Sequence, residues 1–494
     1  MELATYRMYI GGRWTEAASR DDFETDDPYR GRPWAKIPRG TATDVDCAVR
    51  AAHRAFTAGD WPKLTASGRG ALLRTLGDLV ARRSKALAEV EVRDNGKLYA
   101  EMSAQTAYMA QWYHYYGGLA DKIEGTVLPS DKPDTFNYTR CEPLGVVAAI
   151  VPWNSPLLLT AWKLAPALAA GNTVVIKPSE YTSASVLELM TLVEEAGFPP
   201  GVVNVVTGFG ADVGVPLVEH PLVAKVAFTG SDVTGQRVYE AAARGLKRVS
   251  LELGGKSPNI VFDDADLDNA VKGVISGIFA ATGQTCIAGS RLLVQASIHD
   301  RFLDRLLAFA RTATMGDPMD AGTQIGPVTN RPQFEKILKY IDIAAAEGAV
   351  VALGGARASR PECGDGWFIE PTIFTGVKNS MRIAQEEVFG PVLAVIPFRD
   401  EDEAIAIGND VVYGLAAGVW TRSMRRALTM AERLQAGTVW VNTYRAVSYL
   451  SPFGGYKRSG IGRESGQDMI REYLQVKSVW ISTATDVPNP FIQR

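Results

Sequence analysis

The 494-residue chain has only four cysteines, Cys47, Cys141, Cys286 and Cys363, and no two of them stand at a paired spacing. That scarcity excludes a disulfide framework and a zinc site of the paired-cysteine kind, and it fits a reducing compartment. Strong charge of either sign is also missing, the formal net charge being −3. Nucleic acid and anionic membrane surfaces are thereby set aside as main partners. The opening residues, Met1 to Arg7, carry no signal-peptide pattern, so a cytoplasmic location is expected. Internal repeats and low-complexity segments are absent. One long charge-free run exists, Leu144 to Trp162. Pro152, Asn154 and Pro156 interrupt it, so it reads as a buried strand, a broken turn and a helix rather than a membrane span. What the chain does have is length and an apolar content of 46%, enough for roughly two or three domains with large cores.

Short strands and turns are expected from Met1 to Gly40. Helical spacing of apolar residues predicts helices over Asp44–Phe56, Ser67–Val92 and Ala104–Ile123. Gly125–Pro143 reads as a projecting hairpin or as an ordinary surface loop. From Gly145 the pattern alternates. Strands fall at Val146–Val151, Val174–Ile176, Val202–Val206 and Ala224–Phe228, and helices at Leu157–Ala169, Thr182–Ala196, Ala211–Glu219 and Asp232–Arg244. Such alternation predicts an α/β fold with a doubly wound parallel sheet and a ligand at the carboxyl ends of its strands. A second α/β unit follows Gly255. Its strands are Pro258–Phe262, Arg291–Val294, Val392–Pro397, Ala417–Trp420 and Thr438–Asn442, with a helix over Ile298–Thr312. Gln475–Ile481 reads as a tail strand. The glycine run from Gly208 to Gly214 is one residue longer than the usual dinucleotide fingerprint, so its signal is weak.

Two stretches carry the chemistry. In Gly283-Gln284-Thr285-Cys286-Ile287-Ala288-Gly289 one cysteine sits between glycines, after a helix predicted over Leu267–Ala281 and before a strand. Such a thiol is either a nucleophile or a small hydrophobe in the core. Upstream, a strand predicted over Val249–Leu253 carries Glu252 and ends in a Gly-Gly turn, within Ser250-Leu251-Glu252-Leu253-Gly254-Gly255-Lys256-Ser257-Pro258. A carboxylate held among leucines has a raised pKa and can serve as a general base, whereas on an edge strand it would simply face water. Together these two motifs resemble the aldehyde dehydrogenase superfamily. The resemblance extends through Pro152-Trp153-Asn154, Lys177-Pro178-Ser179-Glu180, Phe228-Thr229-Gly230-Ser231, Glu386-Glu387-Val388-Phe389-Gly390-Pro391 and Pro452-Phe453-Gly454-Gly455, and so covers nearly the whole chain.

The resemblance implies two doubly wound parallel-sheet domains, one Rossmann-like for the cofactor and one catalytic, with a small β element for oligomerisation. Residues 1–121 and 144–254 would form the cofactor domain, 255–470 the catalytic domain, and 122–143 with 471–494 the hairpin and tail. A homodimer or homotetramer would assemble through them. It implies Cys286 as nucleophile, Asn154 as side-chain donor to the oxyanion, Glu252 as base for thioester hydrolysis and Glu464 as an assistant in proton movement. Lys177 and Glu180 would reach the adenine-side ribose, and a carboxylate there repels a 2′-phosphate, favouring NAD over NADP. The pyrophosphate would meet the helix opened by Phe228-Thr229-Gly230-Ser231, and Glu387 and Phe389 would hold the nicotinamide ribose. Val151, Trp153, Gly208, Leu253 and Gln333 complete the expected groove. By the same matching, the substrate tunnel falls on Ser155, Leu159, Trp162, Thr285, Ile287, Arg445, Val447 and Phe453. Ser155 stands where many relatives carry an aromatic residue. Together with Arg445, it points to a polar aldehyde or semialdehyde.

Two other readings remain at this stage. An acylating relative would pass the thioester to coenzyme A, but such relatives generally lack a glutamate at the Glu252 position. A non-catalytic binding protein on the same fold would be marked by loss of the thiol or the base, and both are present.

Overall fold

The computed structural model describes residues 3–487 and 489–492. Met1 and Glu2 of the N-terminal segment, and Pro488, Gln493 and Arg494 of the expected tail, lie outside the described residues. Two large sheets carry the α/β fold. In the first, five central strands lie parallel in the order Arg248–Glu252, Val223–Thr229, Val146–Ile150, Thr173–Lys177, Val203–Val205. Val146–Ile150 and Thr173–Lys177 are buried at every residue. That is the fate of a strand covered by helices on both faces, and it explains the unbroken apolar runs in the sequence. The second sheet has seven strands. Six run parallel, with Arg291–Gln295 and Pro258–Val261 near the middle.

Neither sheet is parallel to its edges. Gly460–Ile461 lies antiparallel against Arg248–Glu252, Met8–Ile10 antiparallel against Val203–Val205, and Val350–Leu353 antiparallel against Thr372–Thr375. Met8–Ile10 falls among the short strands expected from Met1 to Gly40; the other two were not legible, because an antiparallel edge strand needs no crossover helix and so leaves no alternating pattern.

Some elements differ from their sequence-based limits. Ala211–Glu219 is not one helix: a wide turn over Gly210–Gly214 precedes a short helix, Val215–Glu219. Pro216, lacking an N–H, fits the first turn of a new helix but not the interior of a longer one. The helix expected to reach Ala281 stops at Ile278, because Ala281 and Thr282 take left-handed φ values of 53° and 54°. The hairpin strand Thr135–Pro143 and the tail strand Leu474–Ser482 pair with each other, nine residues against nine, within one chain. Leu474–Ser482 is the outer strand of this three-stranded sheet, so among the described residues its other edge stays open for the pairing between subunits expected of the tail and hairpin.

The helix Pro156–Ala169 runs along the first sheet with all its residues buried, Lys163 included. A helix apolar on all sides belongs inside a core. Its N-terminus, at Ser155, delivers Asn154 to the space between the two sheets.

Candidate active site

Cys286 lies where the chain comes back from a left-handed turn at Ala281–Gly283. Gly283 has φ 69°, and a Cβ there would stand 2.0 Å from the Gly390 carbonyl oxygen. The loop is tied down on both sides of that turn. The Thr282 hydroxyl donates to the Gly326 carbonyl at 3.1 Å, and the buried Gln284 side chain accepts from the Thr329 N–H at 2.9 Å. Glu252 ends the strand Arg248–Glu252, and the Gly-Gly turn after it brings three motifs together. A Cβ on Gly255 would stand 2.6 Å from the Cys286 carbonyl oxygen, and one on Gly254 2.4 Å from a Glu387 carboxylate oxygen. No side chain fits at either position.

A cleft results, lined by Asn154, Leu159 and Cys286 together with Trp153, Gly230, Ser231, Leu253, Gln333, Glu387 and Phe389. Nine of the anticipated site residues therefore share one cavity with the cysteine. Asn154 is buried, and its Nδ2 donates to the Gln284 carbonyl at 3.1 Å. One amide hydrogen remains for a ligand.

The electrostatics are those of a buried acid cluster. Glu252 is 4% exposed, and neither carboxylate oxygen has a hydrogen-bond partner among the described residues. Burial raises its pKa well above the carboxylate range; Glu464 adds to the rise, and Lys163 and Arg463 oppose it. Glu464 is itself buried and paired with Lys163, whose Nζ also contacts the Thr229 hydroxyl at 2.6 Å. Cys286 is half-buried in the open cleft. Burial pushes its thiol up to about 12, with further pushes from Glu252 and Glu387. At neutral pH the sulfur is therefore a thiol.

On the cofactor side, Ser231 caps the helix Asp232–Arg244 by accepting the Thr234 N–H at 3.3 Å. The Gly230 N–H is spent on the Glu252 carbonyl at 3.1 Å. An anion there is left the remaining free amides of the helix start. Phe389 is left-handed at φ 60°, a strained state for an aromatic residue. Gln333 fixes it by donating to the carbonyls of Val388 and Phe389 at 2.8 and 3.0 Å, and Trp153 packs edge-on against its ring at 5.2 Å. Glu387 is half-buried, and its carboxylate accepts the Gly255 N–H at 3.0 Å. Lys177 and Glu180 stand 3.5 Å apart at the carboxyl end of Thr173–Lys177. Val151 and Phe228 are buried in the sheet core. Gly208, like Lys177 and Glu180, lies outside the lining of the cleft beside Cys286, and a Cβ there would meet Val213 at 2.6 Å and Gly40 at 3.1 Å.

Of the tunnel residues, Trp162 stacks on Trp112 and meets Phe453 edge-on at 5.1 Å. The Ile287 carbonyl accepts from Tyr444 at 3.0 Å. Thr285 is half-buried beside Cys286, and Val447 packs against the core. The Ser155 hydroxyl is not free, because the buried Lys97 donates to it at 2.9 Å. Arg445 keeps a quarter of its side chain exposed and holds only loose contacts, 3.4 Å to the Ser276 carbonyl and 3.9 Å to Glu101.

Lys97, Lys163, Thr229 and the cleft residue Lys336 escaped the sequence argument. Lys163 had a signal: it is the one charge in an otherwise apolar helix, and a fully buried charge is rare unless paired. Lys97 had none, since its turn is polar anyway.

Comparison with known proteins places the site in context. The model of the aldehyde dehydrogenase family matches residues 14–479. A (Z)-2-((N-methylformamido)methylene)-5-hydroxybutyrolactone dehydrogenase of Acinetobacter baylyi is 47% identical, with 100% of both chains covered. An aldehyde dehydrogenase of Aspergillus niger is also 47% identical, over 96% of this chain and 94% of its own. A crystal structure of betaine aldehyde dehydrogenase from Staphylococcus aureus in complex with NAD+ superposes with a TM-score of 0.97 at 42% identity, covering 99% of this chain and 96% of that one.

Proposed function

The chain belongs to the aldehyde dehydrogenase family and oxidises aldehydes with NAD; from that premise we propose that its substrate is a polar aldehyde of the semialdehyde kind and that water receives the acyl group. The observation that carries the mechanism is the meeting of Cys286 and Asn154 with Glu387 and Phe389 on one cleft, beside the buried, unpartnered carboxylate of Glu252. The Cys286 sulfur bonds to the aldehyde carbon as its proton passes to the Glu252 carboxylate, which releases it toward Glu464 before the hydrolytic step. The free Asn154 amide hydrogen and the Cys286 N–H face the oxygen that becomes negative. NAD, when bound, accepts the hydride. Trp153, Gln333, Glu387 and Phe389 would hold its nicotinamide end, the start of the helix Asp232–Arg244 its pyrophosphate, and Lys177 and Glu180 its adenine-side ribose. Glu252 then takes a proton from water, whose oxygen bonds to the thioester carbon as the C–S bond breaks. The raised pKa of Glu252 suits a base working near neutral pH. Glu464 and Lys163 are the next stations for that proton.

Substrate class is argued from the tunnel. A small Ser155 leaves room, and Arg445 has donors to spare for a carboxylate. A 5-hydroxybutyrolactone opens to an aldehyde bearing a carboxylate, so likeness to a dehydrogenase named for such a lactone supports the same class. One screened arginine is worth about 1 kcal/mol, or roughly fivefold in specificity. The test compares kcat/KM for succinic semialdehyde and for an alkanal of similar length, in wild type and Arg445→Ala. Preference for the semialdehyde that shrinks in the variant is expected. Preference for the alkanal, unchanged by the substitution, would reject the semialdehyde while leaving the dehydrogenase intact. A cytoplasmic homodimer or homotetramer, with cofactor and catalytic domains joined near Gly255, completes the reading. Both faces of the three-stranded sheet expose apolar side chains, Val127, Phe136 and Ile481 on one and Val476 and Trp480 on the other, which supports assembly.

A further inference from the structure

Glu101 stands 180 residues before Ala281, in the first turn of the helix Tyr99–Leu119. Its Oε1 accepts the Ala281 N–H at 3.0 Å. Ala281 is 3% exposed, and this is the acceptor its N–H has among the described residues. Ala281 and Thr282 are two successive non-glycine residues in the left-handed region, and the Gly283 turn against Gly390 follows them at once. Left-handed residues persist only where their surroundings over-determine them. Thr282 and Gln284 are tied from the far side, to Gly326 and Thr329. Glu101 is the tie from the helical side, and Cys286 comes two residues after Gln284. Glu101 also lies 3.9 Å from Arg445, whose other contact is the Ser276 carbonyl on the helix that enters the turn.

We propose that Glu101 is a positioning residue for the nucleophile: its carboxylate holds the left-handed turn at Ala281 and so sets where the Cys286 sulfur stands relative to the Asn154 amide. The proposal rests on the reading of Cys286 as the nucleophile. Glu101 touches neither substrate nor cofactor in this role. A lost acceptor would leave a buried N–H unpaired and free the turn to relax toward right-handed values. The sulfur would move while the cofactor groove, built on other strands, would not. A displacement on the order of 1 Å at a reacting atom costs about a hundredfold in rate.

Two substitutions of near-equal length separate the acceptor from mere bulk. Glu101→Gln keeps an oxygen that accepts from Ala281, and Glu101→Met does not. Three quantities are measured on the full chain: the rate of the NADH burst, the Kd for NAD, and the rate at which iodoacetamide alkylates Cys286, read by peptide mass so that the other cysteines do not count. In Glu101→Met the burst and the alkylation should slow by about tenfold or more while the NAD Kd stays within about twofold. Glu101→Gln should recover most of the burst rate. An unchanged burst and alkylation rate in Glu101→Met overturns the proposal, as does an equal loss in both variants, which would assign the effect to charge. If Glu101→Met does not fold, Glu101→Gln still decides, since a tenfold loss there contradicts an acceptor role. Undiminished NADH formation by Cys286→Ala would instead defeat the nucleophile reading itself.

Discussion

At the scale of single residues, the site is a problem of protons held away from water. The Cys286 thiol, pushed up to about 12 by burial and by Glu252 and Glu387, is neutral at physiological pH. The sign is that of an acid whose charged form is disfavoured, so reactivity grows as pH rises. Alkylation of Cys286 in the free enzyme should keep increasing through about pH 9, past the point where an ordinary thiol levels off. A plateau near pH 8.5 (about the unperturbed value) would show that the sulfur is less buried than described. Glu180 carries the second prediction. Its carboxylate, 3.5 Å from Lys177, should exclude a 2′-phosphate, so Glu180→Ser narrows the preference for NAD over NADP. Equal use of both cofactors by the wild type would refute that role. Cys286 and Glu252 were legible in the sequence because each sits in a long motif with glycines that have one structural reason. Lys97 was not, because a lysine in a polar turn looks the same whether it meets solvent or, as here, Ser155.

At the scale of elements, the parallel strands were readable, but not every edge beside them was. Burial on both faces writes an unbroken apolar run into Val146–Ile150 and Thr173–Lys177. The two-residue strand Gly460–Ile461, which closes the sheet beside Glu252, has too little sequence to carry a period. The end of the helix before Cys286 was misplaced by three residues, since Ala281 and Thr282 have nothing in their identity that asks for a left-handed backbone. The helix Pro156–Ala169 ties two functions together: its start places Asn154, and its middle buries Lys163 against Glu464. Removing one partner of a buried pair strands the other charge. Lys163→Met should destabilise the fold by about 3–5 kcal/mol in chemical denaturation and should slow deacylation more than acylation. A variant with full stability and an unchanged steady state would mean that Glu464 is held and discharged by other groups.

At the scale of the whole molecule, two sheets meet so that the Gly-Gly turn after Glu252, the cysteine loop and Glu387 are in contact, and the active site is the junction. That arrangement was not legible from periodicity, which cannot say how two sheets face each other. The three-stranded sheet was legible as strands, but its pairing within the chain was not. One of its faces presents Trp480, 59% exposed. Trp480→Glu should shift the assembly toward monomer in analytical ultracentrifugation while the NADH burst persists in each chain. An unaltered oligomer would move the interface elsewhere. The most direct test of the central claim is to mix Glu252→Gln with NAD and an aldehyde that the wild type oxidises, quench, and weigh the protein and its peptides. The account predicts about one NADH per chain, little further turnover, and an acyl group attached to Cys286. An NADH burst with no acyl adduct, or an adduct on any other residue, would contradict it.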